Sequence, residues 1–136
     1  MKEILLEIIT PSKSAYKGNV KSVTVPGTLG NFQVLFNHAP LLSSLEIGKI
    51  KIEESAGQII EYATSGGTIE VKENKILILA DSVETQEEID IERARKSYER
   101  AKERLATRDK SEIDNIRAEL SLQRALNRMK FMNISV

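Results

Sequence analysis

Apolar and polar residues alternate over short distances in the first half of the chain. The segment NVKSVTVPG spaces Val20, Val23 and Val25 among polar residues before a Pro-Gly turn, which is typical of a β-strand with one buried face. Similar segments, separated by turn residues, are EILLEIIT, EIGKIKIEES, IIEYATSGG and TIEVKENKILILA. About eight to ten short strands in this half predict an all-β sandwich or barrel, in which SGG is read as a hairpin turn.

The second half has a helical pattern instead. No glycine follows Gly67 and no proline follows Pro40, and both residue types damage helix interiors. The first apolar stripe, at spacings of three and four, consists of Ile91, Ala94, Tyr98, Ala101 and Leu105. The second consists of Ala118, Leu122, Ala125 and Met129, widened by Ile113, Ile116 and Leu120. Two amphipathic helices are therefore expected.

Capping signals place the ends of these helices. Thr85 and Glu88 form an S/T-x-x-E capping box that predicts the start of the first helix, and Asp109 or Ser111 is expected to cap the second. The short break between the helices makes them an antiparallel hairpin. We therefore predict an α+β protein with a β-sandwich in residues 1–86 and a helical hairpin in residues 87–136. Alanine-rich stripes bury little area, so the hairpin is a candidate moving part.

Composition excludes several classes of function. The 20 basic and 20 acidic residues give zero net charge, so no global field favours nucleic acid or anionic lipid. The chain has no cysteine, which rules out disulfides and thiolate metal sites. Glu3 and Glu7 interrupt the first apolar stretch, and no segment approaches the ~18 apolar residues of a membrane span. An intracellular protein without direct membrane insertion is expected.

His38 is the only histidine, and it precedes Pro40 in an apolar run. A metal site needs several ligands, and the chain offers His38 no second histidine or cysteine. No nucleophile-elbow, P-loop or dinucleotide-binding motif accompanies it. We therefore predict no catalytic residue and no metal site, and interpret His38 as a structural or interface residue.

A group of charged residues is expected where the hairpin opens. Pairing the helices about a turn near residue 109 places Asp90 opposite Arg128, and Arg93 close to Arg124. Guanidinium groups bind phosphate oxygens in pairs of hydrogen bonds, so these residues are a candidate phosphate site. The alternative is a solvated charged surface, whose intrahelical pairs are worth about 0.2–0.5 kcal/mol each.

Several strings carry a resemblance to a known family. They are VPGTLGNFQVLFNHAPLL, SGGTIEV, ILADSVE and IDIERA. With them, essentially the whole chain resembles the epsilon subunit of the bacterial rotary ATP synthase. The resemblance implies a sandwich of about ten strands followed by a two-helix hairpin. It also implies that Asn31, His38 and Pro40 lie at the interface with the central shaft and the c-ring. The loop at residues 28–31 lacks the acidic residues of many members, so a polar contact through Asn31 is expected there.

The resemblance further implies a nucleotide site. Some bacterial epsilon subunits bind ATP through the motif Ile/Leu-Asp-x-x-Arg-Ala, which residues 89–94 match fully. The ATP-binding residues implied for this chain are Glu84, Ile89, Asp90, Arg93, Ala94, Arg100, Arg124 and Arg128. ATP would be a regulatory ligand, and no cofactor is required.

The function implied is that of a non-catalytic rotor subunit of a proton-translocating ATP synthase. Its partners would be the gamma subunit, the c-ring and the catalytic head, on the cytoplasmic face of the bacterial membrane. The hairpin would regulate ATP hydrolysis by folding down or extending along gamma. The alternative is a free-standing nucleotide-sensing module or a coiled-coil adaptor.

Overall fold

The computed structural model describes residues 2–107 and 112–133. The chain divides into two compact units, Met1–Thr85 and Gln86–Val136. This division lies one residue from the boundary expected from the sequence. The capping residues expected for the second helix, Asp109 and Ser111, lie outside the described residues.

The first unit contains nine strands within the described part of the chain, and the α+β class with an N-terminal β-sandwich is confirmed. The strands are β1 (Ile4–Ile9), β2 (Ser14–Gly27), β3 (Gly30–Val34), β4 (Leu41–Leu45), β5 (Gly48–Glu54), β6 (Ile59–Thr64), β7 (Gly67–Lys72), β8 (Lys75–Ala80) and β9 (Val83–Glu84). All pairings are antiparallel except that of β1 with β8.

The long strand β2 organises the sandwich. Its first half pairs with β1, and its second half pairs with β3 and β5. At its end, Gly27 also pairs with Leu45 of β4, and β4 leads through β7 and β8 back to β1. The register of β2 against β5 shifts between Val20 and Ser22, and such an irregularity bends a strand. β2 thus connects one group of strands, β1, β8, β7 and β4, with the other group, β3, β5, β6 and β9.

The core lies between these strands and is aliphatic. The fully buried large side chains are Ile4, Leu6, Ile8, Val20, Val23, Val25, Val34, Ile50, Ile52, Ile69, Ile76 and Ile78. Those of β1, β5 and β8 occupy alternate positions of their strands, as the period-two pattern requires, and the valines come from β2 and β3. β-branched residues dominate the set because they pack well on a pleated surface.

The turns include one correction to the sequence interpretation. The β7–β8 turn is a hairpin, with Glu73 and Asn74 at φ of 51° and 59°, as the polar KEN segment predicts. The SGG segment is not a hairpin turn, because β6 pairs with β5 and β9 whereas β7 pairs with β4 and β8. At Gly67, φ is 152° and a Cβ would collide with the carbonyl oxygen of Leu79. Glycine is therefore required where the chain crosses between strand pairs.

The second unit contains two helices that contact each other, α1 (Ile91–Ala106) and α2 (Glu112–Phe131). Its buried helical residues are small apart from one methionine. They are Ala94, Ala101, Ala118, Ala125 and Met129. Alanine lets two helices approach closely but buries little apolar area, so the helix pair is held by a narrow seam.

Candidate nucleotide site and partner surface

The start of α1 is fixed by Asp90. The Asp90 backbone is extended, with φ −85° and ψ 106°, and its carboxylate accepts a hydrogen bond from the Arg93 backbone N–H at 3.1 Å. The helix start predicted from Thr85 and Glu88 is therefore wrong, since α1 begins only at Ile91. Aspartate is among the best N-cap residues and its negative charge suits the positive end of the helix dipole, so Asp90 sets the boundary.

The motif Ile-Asp-x-x-Arg-Ala coincides with this helix start. Ile89 precedes the N-cap and Ala94 is the fourth residue of the helix, and only 7% and 4% of their surfaces are exposed. Buried apolar residues at these two positions are the arrangement of a hydrophobic staple. Asp90 and the Arg93 backbone form the cap itself. Each of the four defining residues thus has a structural place, and the Arg93 side chain, which is exposed, takes no part in that cap.

The remaining predicted arginines lie along both helices. Arg100 is exposed on α1 and Arg124 is exposed on α2, whereas Arg128 is half-buried. Ala94 and Ala101 on α1 are seven residues apart, as are Ala118 and Ala125 on α2. In an antiparallel pair this spacing sets Ala94 level with Ala125, which fits the register used to place Arg93 near Arg124. Convergence of these side chains on one ligand stays a prediction.

A groove of about 470 Å³ runs along α1 and contains one of the predicted residues. It is lined by Arg95, Lys96, Tyr98, Glu99, Arg100, Glu103 and Met129. Its three cations outnumber its two carboxylates, and with an aromatic ring and a thioether beside them they suit an anionic ligand with a flat apolar part. The sequence signal was the i, i+4 spacing of Lys96 and Arg100, which was indistinguishable from an ordinary solvated helix face.

Two charged contacts border the groove. The Lys102 ammonium lies 5.8 Å from the centre of the Tyr98 ring, a distance at which the ring attracts a cation. Arg95 lies 4.0 Å from Glu92, a contact that is weak in an exposed pair.

Glu84, the remaining predicted ATP-binding residue, belongs to the sandwich unit. It lies in β9, where it pairs with Ala63 of β6.

The residues predicted to meet partner subunits lie at the start of β3 and in the loop that follows it. Asn31 is exposed on β3 and pairs with Pro26 of β2. His38 is half-buried, and its Nδ1–H donates to the Ala39 carbonyl oxygen at 2.8 Å, while Pro40 is exposed. His38 is thus held by its own loop, as an interface or structural residue would be.

Exposed leucines accompany these residues and were missed by the sequence interpretation. Leu29 is 103% exposed at the β2–β3 turn, Leu42 is 74% exposed on β4, and Leu35 is 53% exposed after β3. Exposed apolar side chains mark a protein-binding surface where they form one contiguous patch, so these leucines are candidates for such a surface. The apolar pattern of the sequence alone does not report whether such a side chain is buried or exposed.

Residues 2–107 and 112–133 contain no group of three or more histidine or acidic side chains able to hold a metal ion. Neither helix there combines the length and hydropathy needed to cross a membrane.

The fold and surfaces define a two-domain protein, a β-sandwich followed by a helical hairpin, with candidate sites for ligand and partner binding on its surface. Residues 3–86 match the family described as ATP synthase, Delta/Epsilon chain, beta-sandwich domain. Residues 87–133 match ATP synthase, Delta/Epsilon chain, long alpha-helix domain. The chain belongs to the ATP synthase delta/epsilon chain family.

Similar proteins agree with this assignment. The ATP synthase epsilon chain of Desulforamulus reducens is 40% identical over 125 residues, which cover 92% of this chain and 93% of the relative. That of Nitratidesulfovibrio vulgaris strain DP4 is 45% identical over 129 residues, covering 95% of each. A chain of the Euglena gracilis mitochondrial ATP synthase structure shares the fold, with a TM-score of 0.83 and 24% identity over 93% of this chain and 79% of that one. A chain of the Tetrahymena thermophila central stalk and c-ring structure has a TM-score of 0.67 and 13% identity, over 95% and 96%.

Proposed function

We propose that this chain is a non-catalytic rotor subunit of a proton-translocating ATP synthase. The sandwich would bind the gamma subunit and rest on the c-ring, so that rotation in the membrane is coupled to the catalytic head. The protein would then be peripheral, on the cytoplasmic face of the membrane. The observation that carries the proposal is the family match over both units, 3–86 and 87–133.

The exposed leucines beside the predicted interface support this role. Leu29 and Leu42 expose more of their surface than any other large apolar residue described. Covering one such side chain is worth about 1.5–3 kcal/mol, which rewards association with an apolar partner surface. Asn31 and His38 add polar groups that can fix orientation at the edge of such a contact.

Co-purification with the gamma subunit tests this proposal. The full chain should form a stoichiometric complex with gamma, and Leu42→Ser should weaken assembly on gamma and the c-ring. Ile113→Ser is the matched control, since Ile113 is an equally apolar, 64% exposed residue of α2. A stable monomer that does not bind the gamma subunit would support the alternative, a free-standing sensor or adaptor.

We further propose that the hairpin binds ATP as a regulatory ligand. The triphosphate would contact the exposed guanidinium groups of Arg93, Arg100 and Arg124, joined by Arg128. The groove along α1 adds Lys96 to the cations and Tyr98 as a surface for the base. Binding would stabilise the folded hairpin over an extended form, because a ligand shifts an equilibrium only through its different affinity for the two states.

Isothermal titration with ATP and ADP tests the sensor role. Arg93→Ala should weaken ATP binding by about one to two orders of magnitude, since a hydrogen bond to a charged group is worth about 1.5–3 kcal/mol. The substitution leaves the backbone N–H that Asp90 caps in place, so the helix start is preserved. Arg117→Ala, on the exposed first part of α2, is the control. Absence of ATP binding at millimolar nucleotide removes the sensor role and leaves the rotor role intact.

A further inference from the structure

The β-sandwich unit contains a second concave site, which shares only Leu35 with the exposed leucines described above. It is a cavity of about 620 Å³, hereafter the sandwich pocket. Its described lining residues are Lys2, Glu3, Lys21, Leu35, Phe36, Asn37 and Ser55. The strand register brings its walls together. Ile4 pairs with Val20, and Val20 pairs with Glu54. Lys2, Lys21 and Ser55, each within two residues of this row, therefore lie at one level of the sandwich.

The wall formed by residues 35–37 is fixed by hydrogen bonds. The Asn37 backbone N–H donates to Asn74 Oδ1 at 2.7 Å, and Asn74 Nδ2 donates to Asn37 Oδ1 at 3.1 Å. Both residues have positive φ, 62° and 59°, which asparagine tolerates better than most residues. The His38 N–H donates to the Leu35 carbonyl oxygen at 3.2 Å. The loop is thereby tied to the β7–β8 turn, and the pocket is preformed.

The chemistry of the sandwich pocket is amphipathic. Neither Lys2 nor Lys21 forms an ion pair with a described residue, and Glu3 is the only acidic residue among the described lining residues. Leu35 supplies apolar surface. The Ser55 hydroxyl oxygen is buried and has no hydrogen-bond partner in the described part of the chain, so no bond holds it in its present rotamer. A preformed concavity with apolar walls and a few polar groups is typical of a small-molecule site.

We propose that the sandwich pocket binds a small carboxylate carried on an aliphatic chain. The carboxylate would lie between the ammonium groups of Lys2 and Lys21, and the aliphatic chain would pack against Leu35 and Phe36. Rotation about the Ser55 Cα–Cβ bond would let its hydroxyl donate to the carboxylate. The two lysines disfavour a ligand with a cationic head group. A small inorganic anion would fit less well than the proposed ligand, because it would leave the apolar wall uncovered.

NMR titration of the full-length, ¹⁵N-labelled chain tests this proposal with four probes: octanoate, butyrate, octylamine and inorganic phosphate. Octanoate should shift the amide signals of residues 35–37 and Ser55, and should bind more tightly than butyrate or phosphate. Octylamine should leave these signals unchanged. Lys2→Ala and Lys21→Ala should each weaken octanoate binding about two- to fivefold, because both lysines are exposed. Lys51→Ala, an exposed lysine outside the pocket, is the control.

A second variant separates the apolar part of the site from its charge. Leu35 is 53% exposed, so Leu35→Ser should fold normally, weaken octanoate binding and leave butyrate binding unchanged. Equal binding of octanoate and octylamine would overturn the proposal, as would a loss in Lys51→Ala equal to that in Lys21→Ala. Tighter binding of the peptide acetyl-Leu-Glu-Leu-amide than of octanoate would also overturn it, and would identify a docking site for an acidic segment.

Discussion

The N-cap at Asp90 gives the sharpest test of how the Ile-Asp-x-x-Arg-Ala motif works. Its carboxylate satisfies the Arg93 amide at 3.1 Å, one of the four N–H groups that a helix start leaves without an intrahelical partner. Replacing such a cap by alanine costs about 1 kcal/mol, within a range of about 0.5–2. Asparagine caps as well as aspartate but lacks the charge, which is worth about 0.3–1 kcal/mol at an exposed helix start. Asp90→Ala and Asp90→Asn therefore separate the cap from the charge.

Hydrogen exchange of the first amides of α1 measures the cap directly. A loss of about 1 kcal/mol raises the open fraction about fivefold, so Asp90→Ala should accelerate exchange of the hydrogen-bonded Arg93 and Ala94 amides by that factor. Asp90→Asn should change it by less. Glu119→Ala, an exposed mid-helix acid of α2, should leave these amides unaffected. If Asp90→Asn exchanged as fast as Asp90→Ala, the hydrogen bond would not be the source of the stability and the cap assignment would be refuted.

ATP titration of the same two variants tells whether Asp90 positions the site or contacts the ligand. If Asp90 acts by fixing the helix start, Asp90→Asn keeps most of the ATP affinity and Asp90→Ala loses it in step with the faster exchange. Equal losses in both variants, with normal exchange in Asp90→Asn, would instead assign the carboxylate a direct contact with the nucleotide.

Three other substitutions test separate parts of the molecule. Burial raises the pKa of Tyr16 above its usual value near 10, and so does the Glu54 carboxylate, which accepts a hydrogen bond from the Tyr16 hydroxyl at 2.6 Å. The stability that results is present below pH 10 and is lost as the pH rises further. The urea midpoint of Tyr16→Phe should therefore fall less at alkaline pH than that of the parent. Ala101 is 1% exposed, so Ala101→Leu should overpack the helix seam by about 1–3 kcal/mol and lower the melting temperature of the helical circular dichroism signal, while Lys102→Leu should not. His38→Ala should leave ATP affinity by titration calorimetry unchanged and affect only assembly on gamma and the c-ring; a tenfold loss of ATP affinity would contradict the placement of His38.

The fold was predictable because its signals are local and repeated. Strand alternation, the turn within VKENK and the alanines of the two helical stripes each depend on a few neighbouring residues, and the structure contains them. Several larger residues expected in or beside the stripes are exposed instead, namely Leu105, Ile113, Ile116 and Leu120. Thr85 and Glu88 predicted the wrong helix start because a capping box is a four-residue pattern that competes with better caps nearby. Asp90 is such a cap. The prediction of a hairpin turn at SGG was wrong because a pair of glycines does not indicate which strands the flanking segments pair with.

The candidate sites were less predictable for a physical reason. Helical spacing identifies which residues share a face of α1, but it does not distinguish a groove from a flat solvated surface, so Lys96 and Tyr98 were missed. The sandwich pocket depends on residues far apart in the chain, among them Lys2, Lys21 and Ser55. They come together only through strand register, which the alternation of single strands leaves undetermined.

The pairing of β2 has a consequence for how the sandwich comes apart. Because this one strand is hydrogen-bonded to β1, β3, β4 and β5, none of these four strands can detach without breaking its ladder. The sandwich should therefore open as one cooperative unit, with the slowest-exchanging amides along β2. A damaged or incompletely synthesised sandwich has no stable half to populate, so a protease or chaperone would meet it either native or wholly unfolded.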